Sequence, residues 1–262
     1  MIDFKKYGIK AVILDMDGVL WKDSEPIGNL PNIFQRFSDE NVRVILATNN
    51  ATSTVDQYLQ KIKHMGVTLS EEQIVTSGQA VIFYLNQAYP SGSKVYVFGS
   101  EGLKAIVTGA GFQLDEFTAS AVVVGIDREI TYHKIKVASK LIREGAEFIG
   151  TNPDKTFPTP RGLEPGAGSI IASVAAAAEK EPLYVGKPGR IMMDLALSRL
   201  EGISKEQVLQ VGDRLDTDIA AGQNYGCLTA VVLSGVTTLT MAQQWRPEPD
   251  YIYNDLAEIV GA

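Results

Sequence analysis

Two carboxylates one residue apart, Asp15 and Asp17, close the apolar run Ala11-Val12-Ile13-Leu14, and a glycine follows at position 18. On an extended strand alternate side chains share a face, so the pair would point the same way if the strand continued. Gly18 instead suggests a sharp turn. Two acids about 4 Å apart repel by ~1–4 kcal/mol in wet surroundings. Such an arrangement asks for a cation, most simply a hard ion such as Mg²⁺ with oxygen ligands. Asp and Gly are also ordinary residues of a β-turn at a strand end, so this stretch taken alone fits either purpose.

Three more polar groups follow apolar runs: Thr48-Asn49-Asn50 after Val42–Ala47, Lys187 after Pro182–Gly186, and Asp213 with Asp218 after Val208–Val211. Short runs rich in Val and Ile read as strands buried on both faces. In open α/β sheets, ligands bind at the carboxyl edge of such strands. The elements that must position these groups alternate along the chain. Strands are expected at 10–16, 42–49, 74–76, 94–98, 121–126, 147–150, 182–186, 208–211, 228–233 and 249–252. Between them lie helical patterns, such as Ile33, Phe34 and Phe37 in 31–40. Ser70-Glu71-Glu72-Gln73 and Ser204-Lys205-Glu206-Gln207 are capping-box patterns ahead of strands. Strict alternation predicts an α/β fold with a parallel sheet and helices on both faces. Pro153, Pro158 and Pro160 predict a loop without regular structure over 152–162.

Some stretches imitate a site. Thr151-Asn152 echoes Thr48-Asn49, but Thr48 closes the strand that follows the Asp15 unit and so can neighbour it in a parallel sheet. Gly166-Ala167-Gly168-Ser169 lacks the lysine of a phosphate loop. Asp216 reads as a helix cap, and His64 and His133 as surface residues.

Composition narrows the function. The 262 residues suffice for one large or two ordinary domains, and 45% hydrophobic content suits a real core. A net charge of −7 argues against a nucleic-acid binder, whose affinity needs a basic surface. The single cysteine, Cys227, can form no intrachain disulfide and reads as a small core residue in a reducing compartment. No secretion signal and no membrane span is legible. A cytoplasmic protein without membrane or nucleic-acid partners is expected.

In order, Asp15-Met16-Asp17-Gly18-Val19, Thr48-Asn49-Asn50, Gly186-Lys187-Pro188 and Gly212-Asp213-Arg214-Leu215-Asp216-Thr217-Asp218 resemble the motifs of the haloacid-dehalogenase superfamily of phosphohydrolases. The longer words DMDGVLW, TNPDKTFPT, PGAGS and VGKP look like its NagD/4-nitrophenylphosphatase branch. That branch carries a large α/β cap between the second and third motifs. The resemblance implies a Rossmann-like parallel-sheet core over 1–77 and 182–262, with an inserted α/β cap over 78–181. Its loop 152–162 and the strand end Ile126-Asp127-Arg128 are the segments expected to face the site.

The resemblance also implies roles that suit each residue's chemistry. Asp15 is the nucleophile that forms an aspartyl-phosphate. Asp17 is the general acid and then the base, its backbone carbonyl going to the metal. Thr48, Asn49 and Asn50 contact phosphate or substrate. Lys187 holds Asp15 and the phosphoryl group together. Asp15, Asp17 and Asp213 bind Mg²⁺, with Asp218 behind them. The expected function is a Mg²⁺-dependent phosphomonoester hydrolase of small phosphorylated metabolites, of sugar-phosphate, phosphoglycolate or nucleotide type. A homodimer is compatible with the resemblance. The alternatives are a receiver-like phosphoacceptor switch and a catalytically silent metabolite-binding regulator.

Overall fold

The structure, a computed structural model, describes residues 1–159 and 162–262. In chain order its strands are β1 (Ala11–Leu14), β2 (Trp21–Lys22), β3 (Glu25–Pro26), β4 (Arg43–Thr48), β5 (Ile74–Thr76), β6 (Lys94–Phe98), β7 (Gln113–Leu114) and β8 (Ala121–Val124). They continue as β9 (Glu147–Gly150), β10 (Thr156–Thr159), β11 (Gly162–Pro165), β12 (Leu183–Tyr184), β13 (Val208–Gly212), β14 (Leu228–Val232) and β15 (Tyr251–Tyr253). The chain separates into two compact units. One comprises Met1–Thr48, Val55–Val75 and Met193–Ala262, the other Asn49–Thr54 and Thr76–Met192.

The first unit is built on a six-stranded sheet in the order β15-β14-β13-β1-β4-β5. β1 is central because all four of its residues are apolar and fully buried. It pairs in parallel with β4 on one side and β13 on the other, with Leu14 opposite Leu46 and Val211. From β1 the sheet grows in both directions, so the strand order reverses there. A reversal of this kind opens a crevice at the carboxyl ends of the strands. The helix Leu30–Asp39 buries Leu30, Ile33 and Phe37 on one face. Asn29 caps it by accepting from Asn32 N at 3.2 Å. Burying a side chain such as Phe37 contributes roughly 1.5–3 kcal/mol.

The second unit has a five-stranded sheet in the order β12-β9-β8-β6-β7. Its pairs β6–β8, β8–β9 and β9–β12 are parallel. Val122, Val124 and Phe148 of this sheet pack with Ala138, Leu141 and Ile171 of the helices Tyr132–Arg143 and Ala167–Ala178.

Two elements differ from the sequence reading. The strand expected at 182–186 is only Leu183–Tyr184, and it pairs with β9 in the second sheet. The segment expected to lack regular structure contains the antiparallel ribbon β10–β11. Its prolines are tolerated by register. Gly166 N donates to Lys155 O at 2.8 Å, which fixes the alternation of hydrogen-bonded pairs along the ribbon. Pro158 opposite Leu163 and Pro165 opposite Thr156 then take the pairs that need no N–H. Pro160 and Arg161 of the expected loop lie outside the described residues. Among the described residues, no helix is long and apolar enough to cross a membrane.

Candidate active site

In the first unit, β4, β1 and β13 are adjacent and parallel, so their carboxyl ends lie on one edge. That edge carries Thr48 at the end of β4, Asp15 after β1 and Asp213 after β13. All three are buried. Asp15 continues the ladder by donating its N–H to Val211 O at 2.9 Å.

Asp15, Asp213 and Asp218 each offer a carboxylate oxygen within 4.8 Å of the others. Asp213 and Asp218 are 2% and 1% exposed, too dry for water to relieve their repulsion. At an effective dielectric near 20, two such charges about 4 Å apart repel by ~4 kcal/mol. Three carboxylates with no nitrogen or sulfur donor among them match a hard divalent cation such as Mg²⁺. The sequence reading set Asp218 behind the ligands; here its carboxylate belongs to the same cluster.

The surrounding chain is shaped to hold these acids. Asp213 Oδ2 accepts from Val236 N at 2.7 Å, and Asp218 Oδ2 from Arg214 N at 3.1 Å. Asp218 is carried on a widened turn, Leu215–Ile219, in which Ile219 N reaches back to Arg214 O at 3.2 Å. Wide turns of this kind recur at functional sites. Gly18 has φ +83°, and a Cβ there would lie 2.5 Å from Asp213 Oδ2. Only glycine meets both conditions.

Asp17 points elsewhere than the cluster. Its Oδ1 accepts the indole N–H of Trp21 at 2.8 Å. The turn between them is closed by Gly18 N donating to Trp21 O at 2.8 Å and by Leu20 N donating to Met16 O at 2.8 Å. Trp21 is fully buried. The Lys61 ammonium sits 4.1 Å from the ring centroid and donates to Asp23 O at 2.8 Å. Burial pushes the Lys61 ammonium below its ordinary pKa, while the nearby charges of Asp17 and Asp23 oppose that fall.

Asn49, Asn50 and Lys187 belong to the second unit. Asn49 brackets the backbone of Lys187: its Oδ1 accepts from Lys187 N at 2.7 Å and its Nδ2 donates to Lys187 O at 2.9 Å. The same Nδ2 donates to Asp154 Oδ2 at 3.0 Å. The Asn49 carbonyl accepts from Asn152 Nδ2 at 2.8 Å and Ser77 Oγ at 2.6 Å. Lys187 is 1% exposed. The preceding glycine permits the approach, since a Cβ on Gly186 would lie 2.6 Å from Asn49 Oδ1. Asn50 folds locally, its Oδ1 accepting from Thr52 N and Thr52 Oγ1 at 2.8 and 2.6 Å.

Sequence reasoning gave no role to Trp21 or Lys61, and placed Asn152 and Asp154 only within the 152–162 segment expected to face the site. The echo of Thr48-Asn49 in Thr151-Asn152 was a further signal for Asn152, whose side chain donates to the Asn49 carbonyl. Asp127, three residues beyond β8, is tied to Lys134 Nζ at 2.8 Å. Arg128 is largely exposed and stands 4.0 Å from Glu164.

Comparison with known proteins gives this geometry its context. Residues 12–113 match the family model described as Haloacid dehalogenase-like hydrolase, and residues 184–259 match the HAD-hydrolase-like model. An acid sugar phosphatase of Staphylococcus aureus is 36% identical over 252 residues, 96% of each chain. NagD from E. coli superimposes with a TM-score of 0.87 at 32% identity, over 96% of this chain and 98% of that one. A glycerol phosphate phosphatase from Mycobacterium tuberculosis, solved in complex with magnesium, gives a TM-score of 0.87 at 31% identity, over 99% and 78% of the two chains. The chain thus belongs to the haloacid-dehalogenase superfamily, among the phosphatases of its NagD-like branch.

Proposed function

We propose that this phosphatase is Mg²⁺-dependent and hydrolyses small phosphomonoesters, of sugar-phosphate type, through an aspartyl-phosphate on Asp15. The observation that carries the reading is the buried cluster of Asp15, Asp213 and Asp218 at the carboxyl edge of a parallel sheet. Mg²⁺ would be held by Asp15 and Asp213 with the Asp17 carbonyl, and Asp218 would complete the negative surroundings. Its role when bound is to neutralise phosphoryl charge and screen the attacking carboxylate.

Asp15 attacks phosphorus as the ester P–O bond breaks, and Asp17 gives its proton to the departing oxygen. A water then attacks the same phosphorus and loses a proton to Asp17. The P–O bond to Asp15 breaks, releasing inorganic phosphate and restoring both carboxyl groups. Thr48, Asn49 and Asn50 would offer donors to the phosphoryl oxygens, and Lys187 a cation. The unit containing Thr76–Met192 serves as the cap. There Ile126–Arg128 and the Asn152–Gly162 segment choose the leaving group.

The class of substrate follows the relatives, one named an acid sugar phosphatase and one a glycerol phosphate phosphatase. A screen of metabolite phosphates with purified protein tests it. Turnover of sugar or polyol phosphates that stops with chelator and returns with Mg²⁺ is expected. Undiminished turnover in chelator, or preference for a phosphodiester, would refute it.

A further inference from the structure

Trp21 lies outside the four motifs, yet its side chain touches one of the reacting groups. The indole N–H donates to Asp17 Oδ1 at 2.8 Å. Indole nitrogen donates and never accepts. Oδ1 must therefore remain an acceptor whether the Asp17 carboxyl is ionised or protonated. A carbonyl oxygen accepts better than a hydroxyl oxygen, so this bond favours placing the proton of Asp17 on the other oxygen, Oδ2.

The ring cannot easily release this bond. It is fully buried, and its backbone pairs with Pro26 across the β2–β3 ribbon. Lys61 lies 4.1 Å from the ring centroid and is itself anchored to Asp23 O. A cation on the ring face attracts the π electrons and strengthens the N–H as a donor. Asp17, by contrast, is exposed and sits beside Gly18.

We propose that Trp21 is a positioning residue of the catalytic machinery, which fixes the Asp17 carboxyl so that Oδ2 is the oxygen presented to exchange the proton with the leaving group and the water. The inference rests on Asp17 being the acid–base residue. It adds that the fourth residue after Asp17, and the lysine over its ring, determine how well that acid works. Its signature is dependence on the leaving group. A 4-nitrophenolate departs without a proton, whereas an alkoxide needs one as the P–O bond breaks.

The test is kcat/KM for 4-nitrophenyl, phenyl and alkyl phosphates with Mg²⁺, a quantity that reports steps up to departure of the alcohol. Asp17→Asn, Trp21→Phe and a protein carrying benzothienylalanine at position 21 are compared with wild type. The last replaces N–H by sulfur and keeps the ring's volume, so it decides the matter if Trp21→Phe fails to fold. General acid catalysis contributes about 10²–10⁴-fold, so Asp17→Asn should lose that much on alkyl esters and far less on the nitrophenyl ester. Both Trp21 variants should lose about tenfold or more on alkyl esters, and under about threefold on the nitrophenyl ester. A merely structural role would lower all substrates by one factor. A uniform loss, or none, in the benzothienylalanine protein while Asp17→Asn stays steep overturns the inference and leaves the acid–base reading intact. A flat profile for Asp17→Asn overturns both.

Discussion

Asn49 holds Lys187 by both sides of its backbone, accepting from its N–H at 2.7 Å and donating to its carbonyl at 2.9 Å. A side-chain amide here substitutes for a neighbouring strand. The residues are 138 positions apart in sequence. The bracket ties the second motif to the third without using the lysine's ammonium. Asn49→Asp keeps the acceptor and replaces the donor by charge, facing both the Lys187 carbonyl and Asp154. Leaving a buried carbonyl unpaired costs about 1–3 kcal/mol. Urea denaturation should show a loss of that size, and kcat/KM should fall about tenfold or more as Lys187 loses its place. An unchanged midpoint and rate would show that the bracket is incidental.

The clustered acids predict instability without their cation. Asp218→Asn removes one of three mutually repelling charges. In chelator, this variant should be more stable than wild type by about 1 kcal/mol or more. Added Mg²⁺ should raise the wild-type midpoint well above that of the variant, because binding to the folded state stabilises it. Thermal denaturation with and without Mg²⁺ reads both effects. A variant less stable than wild type in chelator would show that Asp218 is held by favourable contacts rather than tolerated for the metal.

Gly18→Ala tests the cradle. The new Cβ would lie 2.5 Å from Asp213 Oδ2, at a φ of +83°. The left-handed conformation alone costs roughly 1–2 kcal/mol for a residue with a Cβ. Asp213 must also yield. The Mg²⁺ concentration for half-maximal activity should rise about 10–100-fold, as it does when groups supporting a metal ligand are disturbed. A Mg²⁺ titration of turnover checks this, and an unaltered midpoint would separate Gly18 from the metal.

Much of the first unit was legible in the sequence, because its signals are local. Ala11–Leu14 can only be a buried strand, and the acids after it must emerge at its carboxyl end. The same logic reaches Thr48 and Asp213. Alternation of strands and helices was enough to predict a parallel sheet; the second sheet was expected only through the family resemblance. The receiver-like and silent-regulator alternatives give way to the phosphatase assignment, which rests on the relatives. What escaped was non-local or too short to have a period. Leu183–Tyr184 is a two-residue strand, and its partner is chosen by tertiary pairing with β9. Trp21 reaches Asp17 through an irregular turn that obeys no spacing rule. Asp154 and Asn152 meet Asn49 across more than a hundred residues. The prolines of 152–162 suggested a loop because composition says nothing of which N–H groups a ribbon leaves unused.

Cys227 gives a prediction independent of the active site. Burial pushes its thiol up to about 12, against an ordinary value near 9. Below the unfolded thiol's pKa both states are protonated, and the advantage of burying a neutral thiol is fully present. As pH rises from about 8.5, the unfolded thiol ionises and the folded one does not, so stability falls toward about pH 12. Cys227→Ala should flatten that fall in urea titrations between about pH 8 and 10. At pH 8 a thiol reagent should label the native protein only as fast as it unfolds. Rapid labelling of folded protein would contradict the burial.

The nucleophile remains the centre of the account. Protein quenched in acid during turnover of 4-nitrophenyl phosphate with Mg²⁺, digested and analysed by mass spectrometry, should carry a phosphoryl group on the peptide containing Asp15. Asp15→Asn should carry none and show no turnover, since an amide cannot replace the attacking oxygen. A phosphoryl group on any other residue, or an Asp15→Asn variant working at the wild-type rate, would contradict it.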